Sequence, residues 1–157
     1  MSSNAAPTAK VLFRIVESDG SDSIETLWAY DLGENRYKLD NSPFYAYGVS
    51  WGDTVLAPHD DAEGHATFHS VLLKSGYRTV RVMFDPPVRR GNESDITLKG
   101  LVKLGSEYER ANAQYIVVSI PPSVDLARVV GYLVERKATW EHADPTYAEY
   151  HANDASL

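Results

Sequence analysis

Asn41-Ser42-Pro43-Phe44-Tyr45-Ala46-Tyr47-Gly48-Val49-Ser50-Trp51-Gly52-Asp53-Thr54-Val55-Leu56 is the stretch on which the reading of this chain turns. No other segment is so dense in residues with special backbone or packing demands, and it runs straight into a β-branched strand. Gly48 and Gly52 are expected at positive φ in tight turns or bulges, because glycine enters that region without steric cost. Asp53 is expected to accept backbone hydrogen bonds in the same turn. The stretch reads as the turn-and-strand corner of a small β-barrel.

Upstream of it, Val11–Val16 is a β-rich run closed by Ser18–Asp22. Ile24–Tyr30 alternates with period 2, which places Ile24, Thr26, Trp28 and Tyr30 on one face. Arg36–Leu39 is a short strand with Tyr37 and Leu39 on one face. Downstream come a strand at Thr54–Ala57, a polar loop at His59–Gly64, and a strand at Ala66–Leu73 before the Ser75-Gly76 turn. Short strands with frequent turn signals argue a small barrel or a strongly bent sheet.

The second half changes character. Tyr77–Phe84 is a strand stopped by Asp85-Pro86-Pro87. Ser94 or Asp95 is placed to cap a helix running to about Leu104, with Leu98, Leu101, Val102 and Leu104 on its buried stripe and Gly105 ending it. Glu107–Arg110 reads as an edge strand, and Tyr115–Ile120 as a central one. Pro121-Pro122-Ser123 is read as the cap of a second helix carrying Val124, Leu126, Ala127, Val130, Leu133 and Val134 at helical spacing. Thr139–His142 is a last strand. The order β-α-β-β-α-β is the ferredoxin-like arrangement. The expected fold is therefore α+β: a small N-terminal β-barrel (residues 11–76) packed on a C-terminal ferredoxin-like half (77–142), with a disordered N-terminus (1–10) and a fraying tail (143–157).

At 157 residues the chain lies within the usual size of one domain. It has no cysteine, which excludes disulfides, thiolate metal sites and a cysteine nucleophile. The N-terminus lacks the apolar core of a signal peptide, and no apolar run approaches the ~20 residues of a membrane span, so the expected location is cytoplasmic. The net charge is −7, and residues 1–75 hold five Lys/Arg against eleven Asp/Glu. Such a half repels phosphate backbones and suits a basic protein partner better than nucleic acid. Arg89-Arg90 is too small a basic spot to change that.

An ordered set of short motifs resembles a known family. These are Leu27-Trp28-Ala29, Tyr37-Lys38-Leu39-Asp40-Asn41-Ser42-Pro43-Phe44, Gly48-Val49 with Gly52-Asp53, Ser75-Gly76 before Thr79-Val80-Arg81-Val82, and Leu104-Gly105. Together they resemble the bacterial domain of unknown function 4265 over roughly residues 11–142. The resemblance implies a fold and carries no reaction. Small bacterial families of this kind often stand beside toxin genes as immunity proteins.

Gly48-Val49-Ser50-Trp51-Gly52 matches the G-x-S-x-G nucleophile elbow, but that elbow requires a following helix, and a strand follows here. His59, His65 and His69 lie near Asp60, Asp61 and Glu63, the right ligand types for zinc at a spacing that fits no known signature. Surface histidines in a polar hairpin are the plainer reading. Arg81 sits mid-strand between Val80 and Val82 and pairs on paper with Asp53, as an ion pair tying the halves together or as a ligand anchor. Of Trp28, Tyr30, Phe44, Tyr45, Tyr47 and Trp51, at least half are expected in the core; the others, if exposed, would form a protein-binding hot spot. Trp140, Glu141, Asp144, Tyr147, Glu149 and Tyr150 make a second acidic–aromatic patch.

The reading that follows is a non-enzymatic protein-binding domain, in its most concrete form an immunity protein that occludes a basic toxin with Trp51, Asp53, Asp60, Asp61, Glu63, Arg81, Trp140, Glu141 and Tyr147. It needs no metal or cofactor. The alternatives are a small-molecule site near Trp51, Asp53 and Arg81, and a hydrolase or metalloenzyme using Ser50 or the His59/His65/His69 group.

Overall fold

The computed structural model describes residues 6–152. The first seven strands are β1 (Ala9–Val16), β2 (Asp22–Gly33), β3 (Arg36–Leu39), β4 (Thr54–Leu56), β5 (His59–Asp60), β6 (His65–Thr67) and β7 (Ser70–Leu73). They form one sheet in the order β5-β6-β1-β2-β3-β4-β7. It curls around Val11, Phe13, Leu27, Ala29, Leu39, Val49 and Val55. The result is a half-barrel, not a barrel closed by a ladder. The run expected as one strand at Ala66–Leu73 breaks in the middle. Phe68 N–H donates to Leu12 O at 2.8 Å, whereas His69 N–H donates to Leu56 O at 2.9 Å, so two consecutive residues bond to β1 and β4, which are separated in the sheet by β2 and β3. The polar loop at His59–Gly64 folds back as the β5–β6 hairpin.

The alternation of β2 holds, with a polar residue in its inward phase. Glu25, Leu27 and Ala29 are buried, and Ile24 and Trp28 face out. An inward carboxylate is tolerated only when its lone pairs are filled, and Glu25 has three backbone donors.

The second sheet contains β8 (Arg78–Met83), β9 (Glu107–Arg110), β10 (Tyr115–Ile120) and β11 (Thr139–Asp144), in the order β11-β8-β10-β9 with every neighbour antiparallel. Helices α1 (Glu93–Lys103) and α2 (Leu126–Glu135) follow β8 and β10. Leu98, Leu101, Val129 and Leu133 close the core over Val80, Val82, Ile116, Val118 and Ile120. Both caps differ from the expected residues: Asn92, not Ser94 or Asp95, caps α1 by accepting from Asp95 N–H, and Asp125, not Pro121-Pro122-Ser123, caps α2 by accepting from Ala127 N–H. Val102 and Val134 are exposed, because each helix buries only the narrow stripe that touches the sheet.

The tail departs from expectation. Residues 153–157, like residues 1–5, lie outside those described. Residues 143–152 do not fray: they complete β11 and form α3 (Tyr147–Tyr150), closed by a Thr146/Glu149 capping box. Among the described residues no helix is long and apolar enough to cross a membrane.

Period 2 turns Val80, Val82, Ile116 and Val118 toward the helices and Thr79, Arg81, Tyr115 and Ser119 toward the opposite face. That opposite face is covered by the segment between β3 and β4. Ser42 Oγ meets Ser119 Oγ at 2.7 Å, and Ser42 N–H donates to Glu109 at 3.0 Å. Arg81 Nη1 donates to the carbonyls of Pro43 (3.1 Å) and Ala46 (2.8 Å). Tyr115 donates to Phe44 O, Gly48 N–H to Ala143 O, and Ser50 Oγ lies 2.7 Å from Thr79 Oγ1. On the other side, Trp28 N–H donates to Asn41 Oδ1, and Leu39 exchanges backbone bonds with Gly52 and Asp53. Residues 41–53 are thus a strap that binds both sheets.

Candidate functional site

The strap owes its shape to charges turned inward. Glu25 accepts from the backbone N–H groups of Phe44 (2.6 Å), Tyr45 (3.2 Å) and Ala46 (3.1 Å). Three donors on one carboxylate fix a non-helical turn that has no ladder of its own. Further along, Gly48 and Gly52 sit at φ of +81° and +82°. Asp53, fully buried, accepts from Ser50 N–H and Ser75 N–H. Its ionic partner is Lys74, at 2.7 Å, and not Arg81.

Lys74 also reaches Asp144 at 2.6 Å, and Asp144 accepts from Ser50 Oγ at 2.6 Å. Burial opposes the Lys74 charge, but the bonds to Asp144 and Asp53 outweigh it and hold the ammonium above the ordinary lysine range. A lysine held charged is no general base, and Ser50 is fully enclosed. The arrangement can clamp the strap between β8, β11 and the first sheet.

Arg81 is almost fully buried on the strap side of β8. Its Nε donates to Glu141 at 3.0 Å, and its guanidinium lies 4.5 Å from the Tyr47 ring centre. Tyr47 donates to the other oxygen of Glu141 at 2.5 Å. Burial first, and then that bond, push the Tyr47 hydroxyl pKa up. Tyr115, beside them, is pushed up to about 12, mainly by burial. Among the described residues Arg81 Nη2 has no hydrogen-bond partner, and the ring face of Tyr47 is what compensates it.

Beyond Glu141, at the β11 edge, an open groove of about 760 Å³ runs between α2 and α3. His142 stacks on Tyr150 with ring centres 4.4 Å apart and meets Trp140 edge-on at 4.6 Å. Tyr147 lies over His151 at 4.3 Å. Burial, and then His151, hold His142 below the usual imidazole pKa, so it sits there neutral. Trp140 and His142 share the helix-side face of β11, and Tyr147, Tyr150 and His151 fall at i, i+3 and i+4 on α3.

The residues read from sequence scatter. Trp140, Glu141 and Tyr147 come together at this groove. Trp51 is half-buried against Tyr77, and Asp53 and Arg81 occupy separate interior networks. Asp60 and Asp61 lie on the exposed β5–β6 hairpin, and Glu63 pairs with Arg14, all in the first sheet. His59 meets Asp61 at 3.4 Å, and among the described residues no three His, Asp or Glu side chains gather as metal ligands would. The aromatic expectation is corrected too: none of the six residues falls in the buried core, and Trp28, Tyr45 and Tyr47 are exposed. The half-barrel core is filled by aliphatics around Phe13, and the strap sets Phe44 and Tyr45 beside Tyr115 of the second sheet. His142, His151, Glu25 and Lys74 escaped the sequence reading, whereas Tyr150 stands in the second acidic–aromatic patch read from sequence. For His142 and His151, the period-2 and i, i+3, i+4 spacings were the available signal.

Fold and site together define a mixed α+β domain, mostly strands, in which a curled half-barrel sheet is strapped to a second sheet with an aromatic groove at its edge. The chain belongs to the family described as domain of unknown function 4265 (DUF4265), whose model matches residues 25–143. No curated protein matches it. Its fold is similar to a solved structure described as a novel crystal structure of a hypothetical protein from Neisseria gonorrhoeae, at a TM-score of 0.73 and 14% identity, covering 86% of this chain and 93% of that one.

Proposed function

We propose that this chain is a non-enzymatic protein-binding domain of the cytoplasm, and in its most specific form an immunity protein that occludes a basic toxin. The observation that carries the reading is the placement of Tyr47 and Tyr147 in solvent around a groove that Trp140 and His142 also line, with Tyr45 exposed on the strap beside Tyr115. Rigid aromatics held in place by a strap are the residues that dominate binding energies. A net charge of −7 supports steering toward a basic partner, which raises the association rate. The enclosure of Ser50 and the internal engagement of Asp53 and Arg81 support binding at the surface over chemistry in the interior. The second sheet is read as a ferredoxin-like half, on its β-α-β-β-α-β order and its strand sequence.

The test is co-expression with the product of the adjacent gene. Growth arrest relieved by this chain, and not relieved by its Tyr45→Ala/Tyr147→Ala variant, is the expected result. Equal arrest with and without the chain ends the immunity reading.

A further inference from the structure

We propose that the groove between α2, β11 and α3 is the seat of an arginine side chain presented by the protein partner. The inference rests on the partner-binding reading and adds the chemistry of the anchor.

The groove lining is rich in aromatic rings, with Tyr47, Trp140, Tyr147 and Tyr150 beside Val130 and Val134. Aromatic faces are electron-rich and attract cations, arginine most often, because its flat and weakly hydrated guanidinium stacks on a ring. Among the described lining residues there is one carboxylate, Glu141, and no lysine or arginine. The groove therefore has a carboxylate acceptor at one end, shared with Arg81 on the strap side, and ring walls. His142 adds no positive charge there at neutral pH: burial holds it neutral, and His151 disfavours its protonation further.

The molecule already contains a worked example at the same place. The guanidinium of Arg81 is held by the Tyr47 face at 4.5 Å and by Glu141 at 3.0 Å, from the strap side. Glu141 lines the groove and keeps nearly half of its side chain exposed (45%), so it has lone pairs left for a second guanidinium. A volume of about 760 Å³ exceeds one side chain, which fits an arginine entering with flanking residues of its own chain.

The test is a titration of the labelled protein followed by the NMR signal of the Trp140 indole N–H, with Trp51 as internal control. The probes are N-acetyl-arginine amide, N-acetyl-citrulline amide, which has the same shape without the charge, and free arginine. A saturable shift of Trp140 alone with capped arginine is expected, at least tenfold weaker with capped citrulline and at least threefold weaker in Tyr147→Ala. Tyr147 is largely exposed, so that variant keeps the fold. Equal affinity for arginine and citrulline amides, no saturable shift, or full affinity in Tyr147→Ala overturns the proposal. Tighter binding of free arginine than of the capped form also overturns it, by assigning the groove to a metabolite. No partner protein is in the tube, so this titration fails or succeeds independently of the growth test above.

Discussion

At the scale of single residues, the chain is shaped by polar side chains placed where a hydrophobic pattern would put apolar ones. Glu25→Ala leaves three strap N–H groups without their acceptor and is expected to cost about 3 kcal/mol in urea unfolding, most of it desolvation of those donors. A midpoint within error of the parent would show that the strap does not depend on Glu25. Glu109 tests the opposite sign. Burial first raises its carboxyl pKa, the Ser42 bonds lower it, and Asp40 and Glu25 raise it further. A raised folded-state value means the contribution is present below the unfolded carboxyl value and lost as pH rises through the folded one. Glu109→Gln keeps an acceptor for Ser42 N–H, so it should melt higher than the parent at pH 7 and alike at pH 4. His142 titrates the other way: its folded value is depressed, so stability is present above the ordinary imidazole pKa and is lost as pH falls through it toward the folded value. His142→Phe should flatten the melting-temperature profile between pH 7 and pH 5; an unchanged slope there would place the titration elsewhere. None of these roles is readable locally, since what Glu25 and Glu109 meet lies on other elements.

Among the elements, the short α3 controls the groove. Its Thr146/Glu149 capping box satisfies N–H groups that four residues of helix cannot satisfy among themselves. Thr146→Ala is expected to remove about 1 kcal/mol, enough to fray so short a helix. Tyr147 and Tyr150 would then leave His142 and Trp140, and Trp140 fluorescence should shift to the red. Asn92→Ala at the start of α1 should cost a similar ~1 kcal/mol and leave that emission unmoved, because α1 lies away from the groove. Equal emission in both variants would separate α3 from Trp140. The helices and most strands were legible from periodicity, but caps moved by a few residues, since Asn92 and Asp125 compete with neighbours of equal capping chemistry. The Phe68-His69 break was not legible, because both bonding partners are distant in sequence.

In the whole molecule, the strap joins two cores that share no strand. Its bonds to β8, β10 and β11 on one side and to β2 and β3 on the other should make the two sheets unfold as one unit. Trp28→Phe/Trp51→Phe leaves Trp140 reporting on the second sheet, and Trp140→Phe leaves the first sheet visible. Coincident urea midpoints are expected; two separated transitions would mean that each sheet stands alone. The sequence by itself determined the α+β class, the family, the two turns at Gly48 and Gly52 and the backbone-accepting role of Asp53, because periodicity, positive-φ glycines and turn chemistry act over a few neighbouring residues. Only the tertiary structure decided that Asp53 answers to Lys74, that Arg81 answers to Glu141 and Tyr47, that Trp28, Tyr45 and Tyr47 stand in solvent, and that Trp140, His142 and Tyr147 share a groove. Those facts depend on which strand face meets which partner, and that is set by long-range packing, which no local pattern encodes.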